Sequence, residues 1–216
     1  MTYVQNVPLK NIYTISFPRS GQHLLQSILE YVFKNHDIEY SFCEYYKCCK
    51  SIPCRLGSII FKNHDFQNDY KILPDNKYIV LYREDKILQL ESYYRYNVKR
   101  NNKEYDYDDL ITFTKQNSLY YDNFKNKWVN NSNNNILKIE YYNLVNNTVE
   151  CIKQIMLHLL PNVTIKPDII NKIPELEFSE YGKSDNRTHM GNNKIRILNT
   201  LSDEIYLKIK SDIISQ

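Results

Sequence analysis

The stretch NIYTISFPRSGQHLLQSILE, residues 11–30, decides how the rest of the chain is read. Ile12 to Phe17 is an apolar, β-branched run with the pattern of a buried strand. Pro18-Arg19-Ser20-Gly21 supplies a tight turn, and Leu24, Leu25, Ile28 and Leu29 then recur at helical spacing. A strand passing through a glycine turn into a helix leaves the first helical N–H groups unpaired and pointing outward. With the helix dipole they make an anion site. Gly21 has no Cβ to hold the anion away, and Arg19 adds a permanent charge matched to phosphate or sulfate oxygens.

This is not the triphosphatase loop G-x-x-x-x-G-K-[ST], which needs a lysine for the outer phosphates and a hydroxyl for magnesium. Here one glycine is followed by Gln22-His23. The chain has 216 residues, enough for one α/β domain spanning 1–216. It has 20 Tyr against 8 Phe, only 4 Gly and no alanine, which points to a biased genome and takes functional weight off any single tyrosine. A net charge of +3 does not call for a nucleic-acid partner. No apolar run has the length of a membrane span and no signal peptide opens the sequence, so a cytoplasmic location is expected. The five cysteines, four of them between Cys43 and Cys54, lack any C-x-x-C pair. They read as partly buried thiols, with no metal expected.

Further along, Ser58 to Phe61 reads as a second strand ending in Lys62-Asn63-His64-Asp65. Tyr78 to Tyr82 is the strongest strand candidate, with Arg83 at its end and a helix from Lys86 to Tyr96 behind it. Lys99 to Asp109 is polar and reads as a loop, Leu110 to Val129 as a helix. Ile136 to Ile139 is a strand leading into Glu140-Tyr141-Tyr142-Asn143-Leu144 and a helix from Thr148 to Leu160. A polar stretch, Ser184 to Gly191, precedes a last helix from Ser202 to Ile214. Polar residues at the C-terminal ends of parallel strands lie where open α/β sheets bind ligands.

The single-glycine F-P-R-S-G loop, followed in order by Lys62-Asn63-His64, a strand ending in Arg83, and Tyr141-Tyr142-Asn143-Leu144, resembles the sulfotransferases that use 3′-phosphoadenosine 5′-phosphosulfate (PAPS). The resemblance covers most of the chain, from Ile12 to Gly191. It implies a three-layer α/β/α fold of P-loop type around a central parallel sheet. It also implies transfer of a sulfuryl group to a hydroxyl acceptor, with His64 as general base and Lys62 and Arg19 stabilising the developing charge. Arg19, Ser20, Gly21, Gln22 and His23 would hold the 5′-phosphosulfate, with Gln22 and His23 standing where small hydroxyl residues are common. Leu24 takes the place of an aromatic that often flanks the adenine, and Tyr141 would lie beside that base.

Arg83 and Ser92 resemble the pair that grips the 3′-phosphate, although Ser92 falls one position late and Glu91 occupies the usual place. On a helix one residue is a turn of about 100°, so a local bulge would be needed to restore the serine. Arg187 and Gly191 match part of the family's basic C-terminal loop. The chemistry requires no metal. The acceptor is not legible, and the tyrosine-rich, polar variable segments favour a carbohydrate or another polar molecule. Two alternatives stay open: a P-loop nucleotide kinase, and a catalytically inactive protein of the same fold that grips an anionic glycan or RNA.

Overall fold

The computed structural model describes residues 12–44, 54, 57–175 and 201–214. Five strands form a wholly parallel sheet: β1 (Ile12–Ser16), β2 (Phe42–Cys43), β3 (Ile60–Asn63), β4 (Lys77–Tyr82) and β5 (Ile136–Glu140), in the order β2-β3-β1-β4-β5. Strand β1 pairs with β3 on one side and β4 on the other, Thr14 lying opposite Lys62 and Ile79. The order reverses there, so the C-terminal end of β1 is the switch point at which such sheets form a crevice.

Helix α1 (Gln22–Asn35) follows β1, and α2 (Lys86–Arg100) and α3 (Tyr107–Phe124) follow β4. Helices α4 (Tyr141–Asn146), α5 (Thr148–Leu159) and α6 (Pro167–Ile170) follow β5, and α7 (Asp203–Ile214) comes last. Alternate residues of β1 feed two cores, as the period of a strand requires. Ile12 packs with Leu25, Ile28 and Val32 of α1 and Ile152, Ile155 and Met156 of α5. Tyr13, Ile15 and Phe17 pack on the other face with Leu90, Tyr121, Phe124 and Trp128. Both faces of the sheet are therefore covered, which is why β1 is buried at every position and reads as a continuous apolar run. Each fully buried aliphatic or aromatic side chain contributes roughly 1.5–3 kcal/mol. A third cluster joins Ile87, Tyr94 and Val98 of α2 to Leu110 of α3 and Ile209 of α7. No helix among the described residues is long and apolar enough to cross a membrane.

Several boundaries differ from the sequence reading. Strand β3 starts at Ile60 and extends to Asn63, because it follows the register of β1. The two-residue β2 lies in a stretch with no readable period and exists through its pairing with β3. The polar stretch 99–109 is mostly helical at its ends. Helix α2 runs to Arg100, and Asp106 caps α3 by accepting from the Asp109 N–H at 2.8 Å, which leaves a loop of residues 101–106. After Phe124 the chain makes a π-helical turn, Lys125–Val129, that buries Trp128. Cys43, Cys54 and Cys151 are buried thiols outside any disulfide. Among the described residues no cluster of three or more His, Cys, Asp or Glu side chains could hold a metal ion.

Candidate active site

The residues that end β1, β3, β4 and β5 meet at the crevice. Ser20 N–H donates to the Phe17 carbonyl at 3.2 Å, closing a four-residue turn with Pro18 second and Arg19 third. Arg19 has φ 72°, the left-handed conformation that the third position of a type II turn requires and that glycine usually fills. Gly21 follows at φ 90° and starts α1 with no side-chain cap and no acidic residue in the first turn. A Cβ at Gly21 would lie 2.7 Å from the Tyr141 ring, so the glycine is required by both its backbone angle and the tyrosine packed against it.

The same Tyr141 ring lies under Arg83, whose guanidinium carbon is 4.3 Å from the ring centre. Arg19 lies over Tyr96 at 5.1 Å. Arg83 is only 7% exposed, yet neither arginine makes an ion pair or a side-chain hydrogen bond among the described residues, and the Nε of each is buried without a partner. Burial first, and then the charge of Arg83, pull Arg19 below the usual guanidinium range. A buried cation and a half-buried one near it, without a carboxylate, are unfavourable in the empty protein and become favourable when an anion arrives.

On the β3 side, Lys62 Nζ is 2.9 Å from Glu44 Oε1 and 2.9 Å from His23 Nε2. Lysine has only donors, so Nε2 of His23 accepts in that contact, and the same nitrogen lies 3.4 Å from Glu44 Oε1. His64 follows β3 directly. Its Nδ1–H donates to the Ser16 carbonyl at 2.7 Å, which fixes the tautomer and leaves Nε2 as the lone-pair nitrogen with no partner among the described residues. Burial, and then the Lys62 charge, lower its pKa to about 4, so the ring is neutral at physiological pH. The Tyr120 hydroxyl donates to the His64 carbonyl at 3.0 Å. Asp65, next in the chain, is buried and accepts from Trp128 Nε1 at 2.8 Å and Lys127 Nζ at 2.6 Å. The backbone around the histidine is thereby anchored to the core.

The structure thus brings together Arg19, Ser20, Gly21, His23, Lys62, His64, Arg83 and Tyr141 at one edge of the sheet. Gln22 turns inward and donates to the Thr14 carbonyl at 3.3 Å. Leu24 packs against the core shared by α1 and α5. Helix α2 is continuous from Lys86 to Arg100, so no bulge brings Ser92 into the place of Glu91. Glu91 is buried there and is taken by Arg95 Nε at 2.8 Å. Arg187 and Gly191 lie outside the described residues. Sequence reasoning missed Gln89, whose buried amide holds the turn, and Glu44, which holds Lys62. A glutamine inside a helix and a glutamate in an irregular stretch carry no sequence signature.

No family model matches the sequence, and no curated protein does. Among solved structures the chain is similar to mouse sulfotransferase SULT7A1 complexed with PAP, at 15% identity and a TM-score of 0.62, over 94% of this chain and 82% of that one. The sulfotransferase domain from the curacin biosynthetic pathway matches at 14% identity over 95% and 97% of the two chains, with a TM-score of 0.44 that carries no weight. At these identities the likeness is one of architecture: the chain has the sulfotransferase fold.

Proposed function

We propose that the protein transfers a sulfuryl group from PAPS to a hydroxyl of a polar acceptor such as a carbohydrate. The observation that carries this reading is the pair of guanidinium groups, Arg19 half-buried and Arg83 buried, both without carboxylates, beside an uncapped helix start and at the same sheet edge as a histidine with an open Nε2. A nucleotide with phosphate groups at both ribose positions fits two separated cations better than a single phosphate does. Arg83 would take the 3′-phosphate, and Arg19, Ser20 and Gly21 the 5′-phosphosulfate. PAPS supplies the group transferred. His64 Nε2 accepts the acceptor's hydroxyl proton as its oxygen bonds to sulfur. The bond from sulfur to the bridging oxygen breaks, and the negative charge leaves with adenosine 3′,5′-bisphosphate. Lys62 and Arg19 face the oxygens on which charge develops. The tyrosine-rich surroundings of the site support a polar acceptor.

Calorimetric titration with adenosine 3′,5′-bisphosphate, 5′-AMP and ATP–magnesium tests the donor. Tight binding of the bisphosphate and weak binding of 5′-AMP is the expected result, to be followed by turnover assays with PAPS and a panel of sugars. Preference for ATP–magnesium would turn the reading to a kinase. Bisphosphate binding without turnover on any hydroxyl acceptor would leave a binding protein.

A further inference from the structure

Arg19 occupies a conformation that a side chain rarely adopts, and both of its neighbours are tied to one residue of a different element. The Gln89 side chain, fully buried on α2, accepts from the Ser20 hydroxyl at 3.0 Å through Oε1 and donates through Nε2 to the Pro18 carbonyl. The amide orientation is settled by its partners, because a carbonyl can only accept. Gln89 therefore grips the residue before Arg19 and the residue after it. A left-handed backbone at a non-glycine residue persists where the surroundings over-determine it, and such residues cluster at ligand sites.

We infer that Gln89 is a positioning residue that clamps the Pro18–Ser20 turn, so that Arg19 is held in its left-handed conformation with its guanidinium presented to the anion on the loop. The inference rests on the proposed nucleotide site and extends it from the groups that touch the ligand to the one that sets their geometry. Gln89 sits on the helix that follows Arg83, so the clamp also fixes the spacing between the loop and the strand end that carries the second cation.

The test is a double-mutant cycle read by binding. Gln89→Met keeps the size of the side chain and removes both hydrogen bonds. It should weaken adenosine 3′,5′-bisphosphate about tenfold and leave adenosine 3′-monophosphate, which lacks the 5′-group, within twofold. In an Arg19→Ala background the same substitution should have no further effect on the bisphosphate. Equal weakening of both nucleotides, or a full tenfold loss in the Arg19→Ala background, would overturn the clamp and leave Gln89 a general packing residue. Should Gln89→Met fail to fold, Gln89→Glu, which loses the donor to Pro18 alone, is read by the same criteria. The wild-type protein and the variants are also titrated with pyrophosphate. A wild type that takes pyrophosphate but no bisphosphate would sink the nucleotide reading, and the Gln89 comparison read with pyrophosphate would still decide the clamp. Binding of neither would overturn both.

Discussion

The two arginines at the C-terminal edge of the sheet and the ion pairs of the helical flank formed by α2 and α3 handle charge in opposite ways. On the flank, two cations have carboxylates: Arg95 pairs with Glu91, and Lys86 lies 3.0 Å from Asp122. The helices there begin under acidic caps, Asp85 for α2 and Asp106 for α3. At the edge, Arg19 and Arg83 lack carboxylates, and α1 begins at a bare glycine. Two histidines differ in the same sense as these cations. His36 uses both nitrogens, Nδ1 on the Val32 carbonyl at 2.8 Å and Nε2 on the Lys166 N–H at 2.9 Å, whereas His64 uses one. A region whose polar groups satisfy one another is structural, and a region that leaves them over is built for something that arrives.

The largest expected contrast lies between the two histidines. His64→Ala should lower turnover by about 10²–10⁴-fold, the range for losing a general base, with bisphosphate affinity retained. His36→Ala should cost about 1–3 kcal/mol in denaturant unfolding, because it takes the acceptor from the Lys166 N–H and empties the space of a buried ring, and leave turnover unchanged. Unchanged turnover in the His64 variant would take that residue out of the mechanism.

The arginines come next. Arg83→Met should weaken the bisphosphate roughly 10–150-fold, the equivalent of a lost charge-assisted contact of about 1.5–3 kcal/mol. Its melting temperature should hold or rise, since an unpaired buried charge is removed. Arg95→Met should do the reverse, lowering stability because the buried Glu91 carboxylate loses the cation paired with it, with nucleotide affinity intact. Equal effects of the two substitutions on binding would erase the distinction between edge and flank.

Two glycines offer a smaller contrast. Gly57 has φ 76° and open space where a Cβ would go, whereas Gly21 has φ 90° and the Tyr141 ring. Alanine at Gly57 should cost about 1–2 kcal/mol for the backbone alone. Alanine at Gly21 should cost about 1–3 kcal/mol more for the forced contact, and weaken anion binding as well. Chemical denaturation of the two variants checks the difference.

The smallest effect is on pH dependence. The groups acting on His64 are Lys62, which lowers its pKa, and the Ser16 carbonyl and Glu44, which raise it. With the pKa of the folded state near 4, the acid limb of kcat/KM should fall near pH 4 and not near 6.5. Between pH 6.5 and about 4 the unfolded chain takes up a proton at this site that the folded chain refuses, so acidification through that window lowers stability. His64→Asn should flatten that loss. A limb at pH 6–7 in the wild type would place the titration on another group.

Much of the edge was legible because it depends on local sequence. The strand–turn–helix of residues 12–35, Lys62 and His64 behind one strand, Arg83 behind another and Tyr141 behind a third all follow from runs of residues whose types fix element and end. Where reading failed, the cause was a partner distant in sequence. Strand β2 lies in a stretch with no readable period and forms through β3. Ser92 keeps its late register because α2 carries Ile87, Leu90, Tyr94 and Val98 inward without interruption.

By itself the sequence determined the succession of apolar strands and helices and the chemical character of the loop, because apolar periodicity and a proline–arginine–glycine turn act over a few residues; the parallel sheet was what the family resemblance implied. Only the tertiary structure decided which charges go unpaired, which histidine nitrogen stays open and that Gln89 holds the turn. Those properties depend on which groups meet across the sheet, and hydrogen bonding and desolvation are settled by neighbours in space.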